Sequence, residues 1–194
     1  MRIFVIELNI CDQEASALFA ALPPAQARRN GDLAATVAFH LVRYALRQSG
    51  FDAAFDDWQT HAQGKPYLSD APHFNLTHSR YGVAVSVCDK QAVGIDLEEI
   101  RPHPQRFAER YFSQAEQAML ASATDPQSEL IRIWTAKEAE AKRLGTGLAA
   151  GIAQIPINNV TSIPLTLCGK PHWLSVAPAI VTPSVTLVPA DLLK

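Results

Sequence analysis

Three short stretches of this sequence carry side chains whose type and spacing could do chemistry. In Gly94-Ile95-Asp96-Leu97-Glu98-Glu99, alternation along a strand sends Asp96 and Glu98 to one face and Ile95 and Leu97 to the other. Two carboxylates held that close repel unless a proton or a cation stands between them. Oxygen-only ligands suit a hard cation, Mg2+ ahead of Ca2+, and Mg2+ characteristically brings substrate phosphates with it. The plainer reading is the polar edge of a half-buried strand. In Trp134-Thr135-Ala136-Lys137-Glu138-Ala139-Glu140-Ala141-Lys142, residues 134, 138 and 142 share a helix face. Glu138 before Lys142 is the favourable order for an ion pair worth only about 0.2–0.5 kcal/mol. A solvated helix face accounts for those two charges but leaves Trp134 unexplained. A metal ligand or base beside phosphate-binding cations accounts for Glu138 between Lys137 and Lys142. The third stretch is Phe74-Asn75-Leu76-Thr77-His78-Ser79. Its hydroxyls, amide and imidazole suit a phosphate or ribose, or else loop residues bonding their own backbone. No partnered Asp or Cys pattern supports a Ser-His nucleophile.

The elements that must position these groups are legible in outline. Ile3–Leu8 reads as a strand and Ala15–Leu22 as a short helix stopped by Pro23-Pro24. Apolar residues at helical spacing run from Leu33 to Gln48, closed by Gly50. Gly64-Lys65-Pro66-Tyr67 marks a turn, and Phe74–Leu76, Gly82–Cys88 and Ala92–Leu97 read as strands. Ser113 and Glu116 have capping-box spacing for a helix to about Ala121. Residues 128–144 carry the longest helical pattern, and the Pro-rich tail from Thr161 reads as short antiparallel strands at 165–167 and 185–188. Gly64-Lys65-Pro66 recurs as Gly169-Lys170-Pro171, each time after a helix and before strands. That order is consistent with a duplicated α+β unit with a site at the seam.

Composition bounds the rest. The chain has 194 residues, a net charge of −2, 48% apolar residues and 19% charged ones, which allows one domain or two small ones with a sizeable core. A near-neutral balance argues against a nucleic-acid binder, which needs a concentrated basic face. No apolar run approaches the roughly 18 residues that span a bilayer. Met1–Leu8 is interrupted by Glu7 and followed by Asp12, so it reads as a buried strand rather than a leader. Cys11, Cys88 and Cys168 are odd in number and form no CxxC pair, the usage of a reducing, cytoplasmic compartment.

Taken together and in order, the motifs resemble the 4'-phosphopantetheinyl transferases. Gly-Ile-Asp-Leu-Glu at 94–98 and Trp-Thr-Ala-Lys-Glu-Ala-Glu-Ala-Lys at 134–142 look like the family's paired signature. Gly64-Lys65-Pro66 and Phe74–Ser79 look like two further motifs of the larger, pseudodimeric class. The resemblance implies an α+β fold of two similar halves, here 1–93 and 94–194, with the active site in the cleft between them and complete in a monomer. It implies Mg2+-dependent transfer of 4'-phosphopantetheine from coenzyme A to a serine of an apo acyl or peptidyl carrier protein, releasing 3',5'-ADP. Such carriers serve fatty-acid, polyketide or nonribosomal-peptide synthesis. Matched residue by residue, Asp96, Glu98 and Glu138 would hold the metal. Glu138 would deprotonate the serine, and Lys142 would contact phosphate and stabilise the developing charge. Thr77 and His78 would bind the 3'-phosphate, with Lys65 and Pro66 near the adenosine and Lys137 supporting its helix electrostatically. Thr77 stands where the family usually has Ser. Arg28 and Arg29 are the nearest equivalents of two basic residues that reach the 3'-phosphate, and Ala34-Ala35 replaces a usual His-Arg step. The chain is shorter than most of that class beyond Lys142, which bears on carrier preference more than on chemistry.

Two other classes fit parts of the pattern. A Mg2+-dependent nucleotide phosphohydrolase would use the same carboxylates without a carrier protein. A non-catalytic coenzyme A or carrier-binding protein would not need Glu138 and Lys142.

Overall fold

A computed structural model describes residues 1–23, 32–52, 58–104, 106–147 and 151–193. The strands are β1 (Arg2–Glu7), β2 (Gln59–Thr60), β3 (Pro66–Tyr67), β4 (His73–His78), β5 (Gly82–Cys88), β6 (Gly94–Glu99), β7 (Thr161–Leu167), β8 (Lys170–Ala177) and β9 (Val185–Leu187). The helices are α1 (Asp12–Ala20), α2 (Leu33–Arg47), α3 (Arg106–Tyr111), α4 (Gln114–Ser122) and α5 (Pro126–Leu144), with 3₁₀ turns at Ile152–Gln154 and Ala190–Leu193. Mixed α+β architecture is therefore what the sequence patterns lead one to expect.

Two sheets share the core. The first has the order β4-β5-β1-β9 and the second β6-β8-β7, while β2 and β3 pair by themselves. Two covered faces explain why β1 is apolar at every position from Ile3 to Ile6. Phe4 and Ile6 face α2, packing with Val37, Leu41 and Ala45, and Ile3 and Val5 face the second sheet, packing with Ile95, Leu97, Leu174 and Val176. α5 lies against β6 and β8, through the small residues Thr135, Ala136 and Ala139, all buried. α5 begins two residues earlier than its apolar pattern indicates. Asp125 accepts from the Ser128 amide at 3.0 Å, and Pro126 fills the first turn. Gly145, at φ 70°, ends the helix in the left-handed conformation.

In both sheets the same sequence of elements recurs. A strand and a helix precede a hairpin, and that first strand pairs with the second strand of the hairpin: β1, α2, β4, β5 and then β6, α5, β7, β8. The Gly-Lys-Pro echo does not mark equivalent places in this scheme. Gly169 lies in the tight β7–β8 turn, whereas Gly64 precedes β3, ahead of the β4–β5 hairpin.

The tail departs from the expected antiparallel pattern. β7 and β8 are antiparallel, but β9 runs parallel to β1. The connection after Ala177 is too long for a hairpin. It carries Ile180 and Val185 along the inter-sheet core and sets Val188 and Leu193 into the core beneath α2. Residues 185–193 thus pack with the first sheet although they follow the second. No helix among the described residues is long and apolar enough to cross a membrane.

Candidate functional site

The site is built where β4, β6 and α5 meet. Asp96 and Glu98 point from β6 to the α5 side, while Ile95 and Leu97 are fully buried between the sheets. β6 can approach α5 this closely because its first residue is Gly94. A Cβ there would stand 1.9 Å from the Ala139 carbonyl oxygen and 2.5 Å from the Arg143 nitrogen. Across the seam, the Asn75 side-chain oxygen of β4 accepts from the Ile95 amide at 3.0 Å. That bond fixes β4 beside β6 where the two strands have no backbone ladder.

Asp96 is the centre of the cluster. Its Oδ1 accepts from Lys142 Nζ at 2.6 Å and from Thr77 Oγ1 at 3.0 Å. Glu138, one helical turn before Lys142, has its Oε2 3.9 Å from the same ammonium. Burial raises the Glu98 carboxyl to about 7, with the Asp96 charge adding to it against the pull of Arg101 and Lys142. Glu138 is raised to about 8, chiefly by burial and then by Asp96 and Glu98, against the opposing Lys142. Burial works against the Lys142 ammonium, but Asp96, Glu138 and Glu98 together hold it above its ordinary value.

Two cavities open beside the cluster. One of about 280 Å³ is walled by Lys65, Pro66, Leu76, Glu138, Lys142 and Gly147. A larger one of about 590 Å³ continues from Lys65 and Pro66 to Tyr67, His73, Phe74 and Arg143. Together they form one elongated cleft with Lys65 and Pro66 at the junction. Lys65 faces both, yet its Nζ donates to the carbonyls of Val93 at 2.7 Å and Lys142 at 2.9 Å. Burial, and then Arg143, lower it to about 8. It therefore ties the turn at 64–66 to the last turn of α5.

Not every other expected residue joins the cluster. Thr77 turns its hydroxyl inward to Asp96, whereas His78, next along β4, is exposed on the opposite face. Ser79 Oγ lies 3.2 Å from His172 Nε2 on β8. Arg28 and Arg29 lie outside the described residues. Trp134 shares the Glu138–Lys142 stripe but packs with Phe107 and Tyr111, so its place there is a packing matter. Asn75 went unrecognised as a seam residue, although its position two before Thr77 puts it on the same strand face.

The three carboxylates do not stand as a ready metal-holding group. Among the described residues no set of three or more His, Cys, Asp or Glu side chains does so. The physical reason is electrostatic: without a cation the carboxylates repel, and the Lys142 ammonium occupies the place beside Asp96 and Glu138. The donor chemistry nonetheless fits Mg2+. All three are carboxylates, burial raises Glu98 to about 7 and Glu138 to about 8, and Asp96 Oδ2 is buried without a hydrogen-bond partner.

Comparison with known proteins agrees with this geometry. Residues 92–177, which carry β6, α5 and β8, match the family model of the 4'-phosphopantetheinyl transferase superfamily. The chain is similar to 4'-phosphopantetheinyl transferase Sfp of Bacillus subtilis (strain 168), 36% identical over 114 residues that cover 56% of this chain and 50% of that protein. The chain thus spans about half the length of that relative. A solved structure of Thermotoga maritima holo-[acyl-carrier-protein] synthase overlaps 44% of this chain and 61% of its own, at 21% identity and a TM-score of 0.32. The similarity to 4'-phosphopantetheinyl transferase AcpT of Salmonella typhimurium (strain LT2) is more extensive, 37% identity over 139 residues covering 68% of this chain and 70% of that one. A relative that similar over that much of both chains, beside the family model matched at residues 92–177, makes this chain a member of the 4'-phosphopantetheinyl transferase superfamily.

Proposed function

We propose that this chain transfers the 4'-phosphopantetheine group of coenzyme A to a serine hydroxyl of an apo acyl or peptidyl carrier protein, releasing 3',5'-ADP. The observation that carries the reading is the gathering of Asp96, Glu138 and Lys142, with Glu98 beside them, at the wall of an elongated cleft. In the reaction the serine oxygen bonds to phosphorus as the phosphorus–oxygen bond to 3',5'-ADP breaks. Glu138, raised to about 8, accepts the serine proton, directly or through a water. Lys142 faces the departing phosphate and stabilises its charge. Asp96, Glu98 and Glu138 would hold Mg2+, which when bound neutralises the diphosphate and makes it a better electrophile. Thr77 keeps Asp96 in place through its hydroxyl, the contact that Ser would also make. Coenzyme A would lie along the cleft, with Lys65 and Pro66 between diphosphate and adenosine. His78, Arg28 and Arg29 are assigned to the 3'-phosphate by the resemblance alone.

The same reading treats the chain as two similar α+β halves, 1–93 and 94–194. It is supported by the repeated strand–helix–hairpin order, with residues 185–193 crossing back onto the first half. Every group named comes from one chain, so a monomer suffices. Cys11, Cys88 and Cys168 are all free thiols, in keeping with a cytoplasmic setting.

The test is intact-mass analysis of apo acyl and peptidyl carrier proteins incubated with this protein, coenzyme A and Mg2+. A gain of one phosphopantetheine, absent with EDTA, is expected. Coenzyme A consumed without a carrier would instead indicate a phosphohydrolase, and coenzyme A bound but never consumed a binding protein.

A further inference from the structure

β4 is an edge strand of the first sheet and meets β6 without a backbone ladder. Side chains hold it there instead. Asn75, Thr77 and Ser79 are spaced by two, so they leave the chain on the same side, and each bonds into the second sheet. The Asn75 oxygen accepts from the Ile95 amide of β6 at 3.0 Å. The Thr77 hydroxyl donates to Asp96 at 3.0 Å, and Ser79 Oγ lies 3.2 Å from His172 Nε2 on β8. The Thr77 rung ends in the cluster. The Ser79 rung, two residues further on, has no part in the chemistry above.

That rung has a fixed direction. His172 is fully buried, and its Nδ1 lies 2.9 Å from the Lys170 carbonyl oxygen. A carbonyl only accepts, so Nδ1 carries the ring proton and the uncharged ring presents Nε2 as an acceptor. The Ser79 hydroxyl donates to it, while Ser79 Oγ accepts from the Tyr81 amide at 3.2 Å. A buried acceptor left without a donor is costly, which favours keeping the bond closed. His172 is placed in turn by β8, where it stands opposite Glu99 of β6 and next to Trp173, the partner of Glu98. Tyr81 meets the imidazole edge-on at 5.9 Å, so the β4–β5 turn is packed on the second sheet where the bond forms.

We propose that Ser79 is a positioning residue: by bonding His172 it clamps the C-terminal end of β4 to β8 and so keeps the Thr77 hydroxyl on Asp96, beside Lys142. The role rests on the reading of the cluster as a transferase site. Thr77 lies between the Asn75 and Ser79 rungs, and with both closed its hydroxyl stays where Asp96 Oδ1 accepts it. With the Ser79 hydroxyl gone, the end of β4 beyond Thr77 loses its bond to β8 and can lift from the seam, taking Thr77 away from Asp96. Ser79 acts through the strand, whereas Glu138 and Lys142 act on the reacting atoms.

The Ile95 amide donates across the seam to Asn75, so its exchange with solvent, read by NMR, reports β4 leaving β6 with no need of activity. Ser79→Ala removes the hydroxyl, Ser79→Thr keeps one, and His172→Phe keeps the ring bulk without the acceptor. Ser79→Ala is expected to speed Ile95 exchange about threefold to tenfold, while the amides pairing β1 with β5 exchange as in the wild type. Its kcat/KM for coenzyme A, per folded molecule, should fall about tenfold or more. Ser79→Thr should restore both, His172→Phe should match Ser79→Ala, and the double variant Ser79→Ala/His172→Phe should be no worse than either. A merely structural role would speed exchange in the β1–β5 ladder as well and leave the rate per folded molecule unchanged. Either of those results, or additive effects in the double variant, would overturn the proposal. Should the wild-type protein transfer nothing to any carrier, the proposed activity fails by itself. Ile95 exchange and calorimetric binding of coenzyme A with Mg2+, compared between wild type and Ser79→Ala, then still decide the role of Ser79.

Discussion

Lys142 is the group that lets three carboxylates share a partly buried corner. Its ammonium bonds Asp96 and stands near Glu138, while burial first and the Asp96 charge second raise the Glu98 and Glu138 carboxyls. A pH dependence of known sign follows. Both groups have an ordinary value of 4.5 and are raised in the fold to about 7 and about 8, so between those values the folded chain binds more protons than the unfolded one. Their stabilising contribution is complete below the ordinary value and is lost as pH rises through the folded values. The metal-free protein should therefore melt at a lower temperature at about pH 8 than at about pH 5, each kcal/mol being worth roughly 2–4 °C in a chain this long. Glu138→Gln should flatten that fall, and Mg2+ should raise the melting temperature more at the higher pH, because its ligands must be ionised. Calorimetry with and without Mg2+ checks all three. Asp96→Ala removes a buried carboxylate oxygen that has no hydrogen-bond partner together with the anchor of Lys142. The Mg2+ concentration needed for half-maximal transfer should rise about tenfold or more, and an unchanged Mg2+ titration would remove Asp96 from the metal site. At this scale the sequence is informative where side-chain period alone decides, as for Asp96 and Glu98 on a strand or Glu138 and Lys142 on a helix. It is silent on Thr77 turning inward while His78 turns out, and on Lys137 being buried, because those depend on which elements pack against them.

The β6–α5 contact is the element on which the site depends. Gly94 permits it, since a Cβ would run into the backbone of residues 139 and 143, and backbone cannot step aside as a flexible side chain can. Gly94→Ala should force the strand off the helix at a stability cost of about 1–3 kcal/mol. It should also lower transfer, although Gly94 touches no reacting group, by widening the separation of Asp96 from Lys142. Thermal melts paired with transfer rates check this; a destabilised variant with a normal rate per folded molecule would show that the contact does not set the site. β1, β4, β5, β6, α2, α4 and α5 are legible from apolar period and capping residues, whereas β8, which runs through Lys170-Pro171, and the short pair β2–β3 are not. Missing from the sequence were their partners. Asn75 closes the β4–β6 seam by a side-chain bond, and β9 takes a parallel place beside β1; neither arrangement leaves a local pattern. Trp134 looked functional because it shares a helix stripe with two charged residues, but α3 supplies the aromatic partners that make it core.

At the scale of the whole molecule, two sheets with a common order of elements face one another through a single apolar layer, and the site lies at their seam, where neither could form it alone. Asp96, Glu98, Glu138 and Lys142 come from the second set of elements, and Thr77, Lys65 and Pro66 from the first. The repeated order of elements does not coincide with the repeated Gly-Lys-Pro. Whether Glu138 takes the proton from a carrier serine in this cleft is decided by a time course of carrier-protein mass with wild-type protein and with Glu138→Gln, in parallel with coenzyme A binding by calorimetry. Phosphopantetheine addition by the wild type, a rate about 10²–10⁴-fold lower in the variant, and retained coenzyme A binding are expected. Near-normal addition by Glu138→Gln would contradict that role.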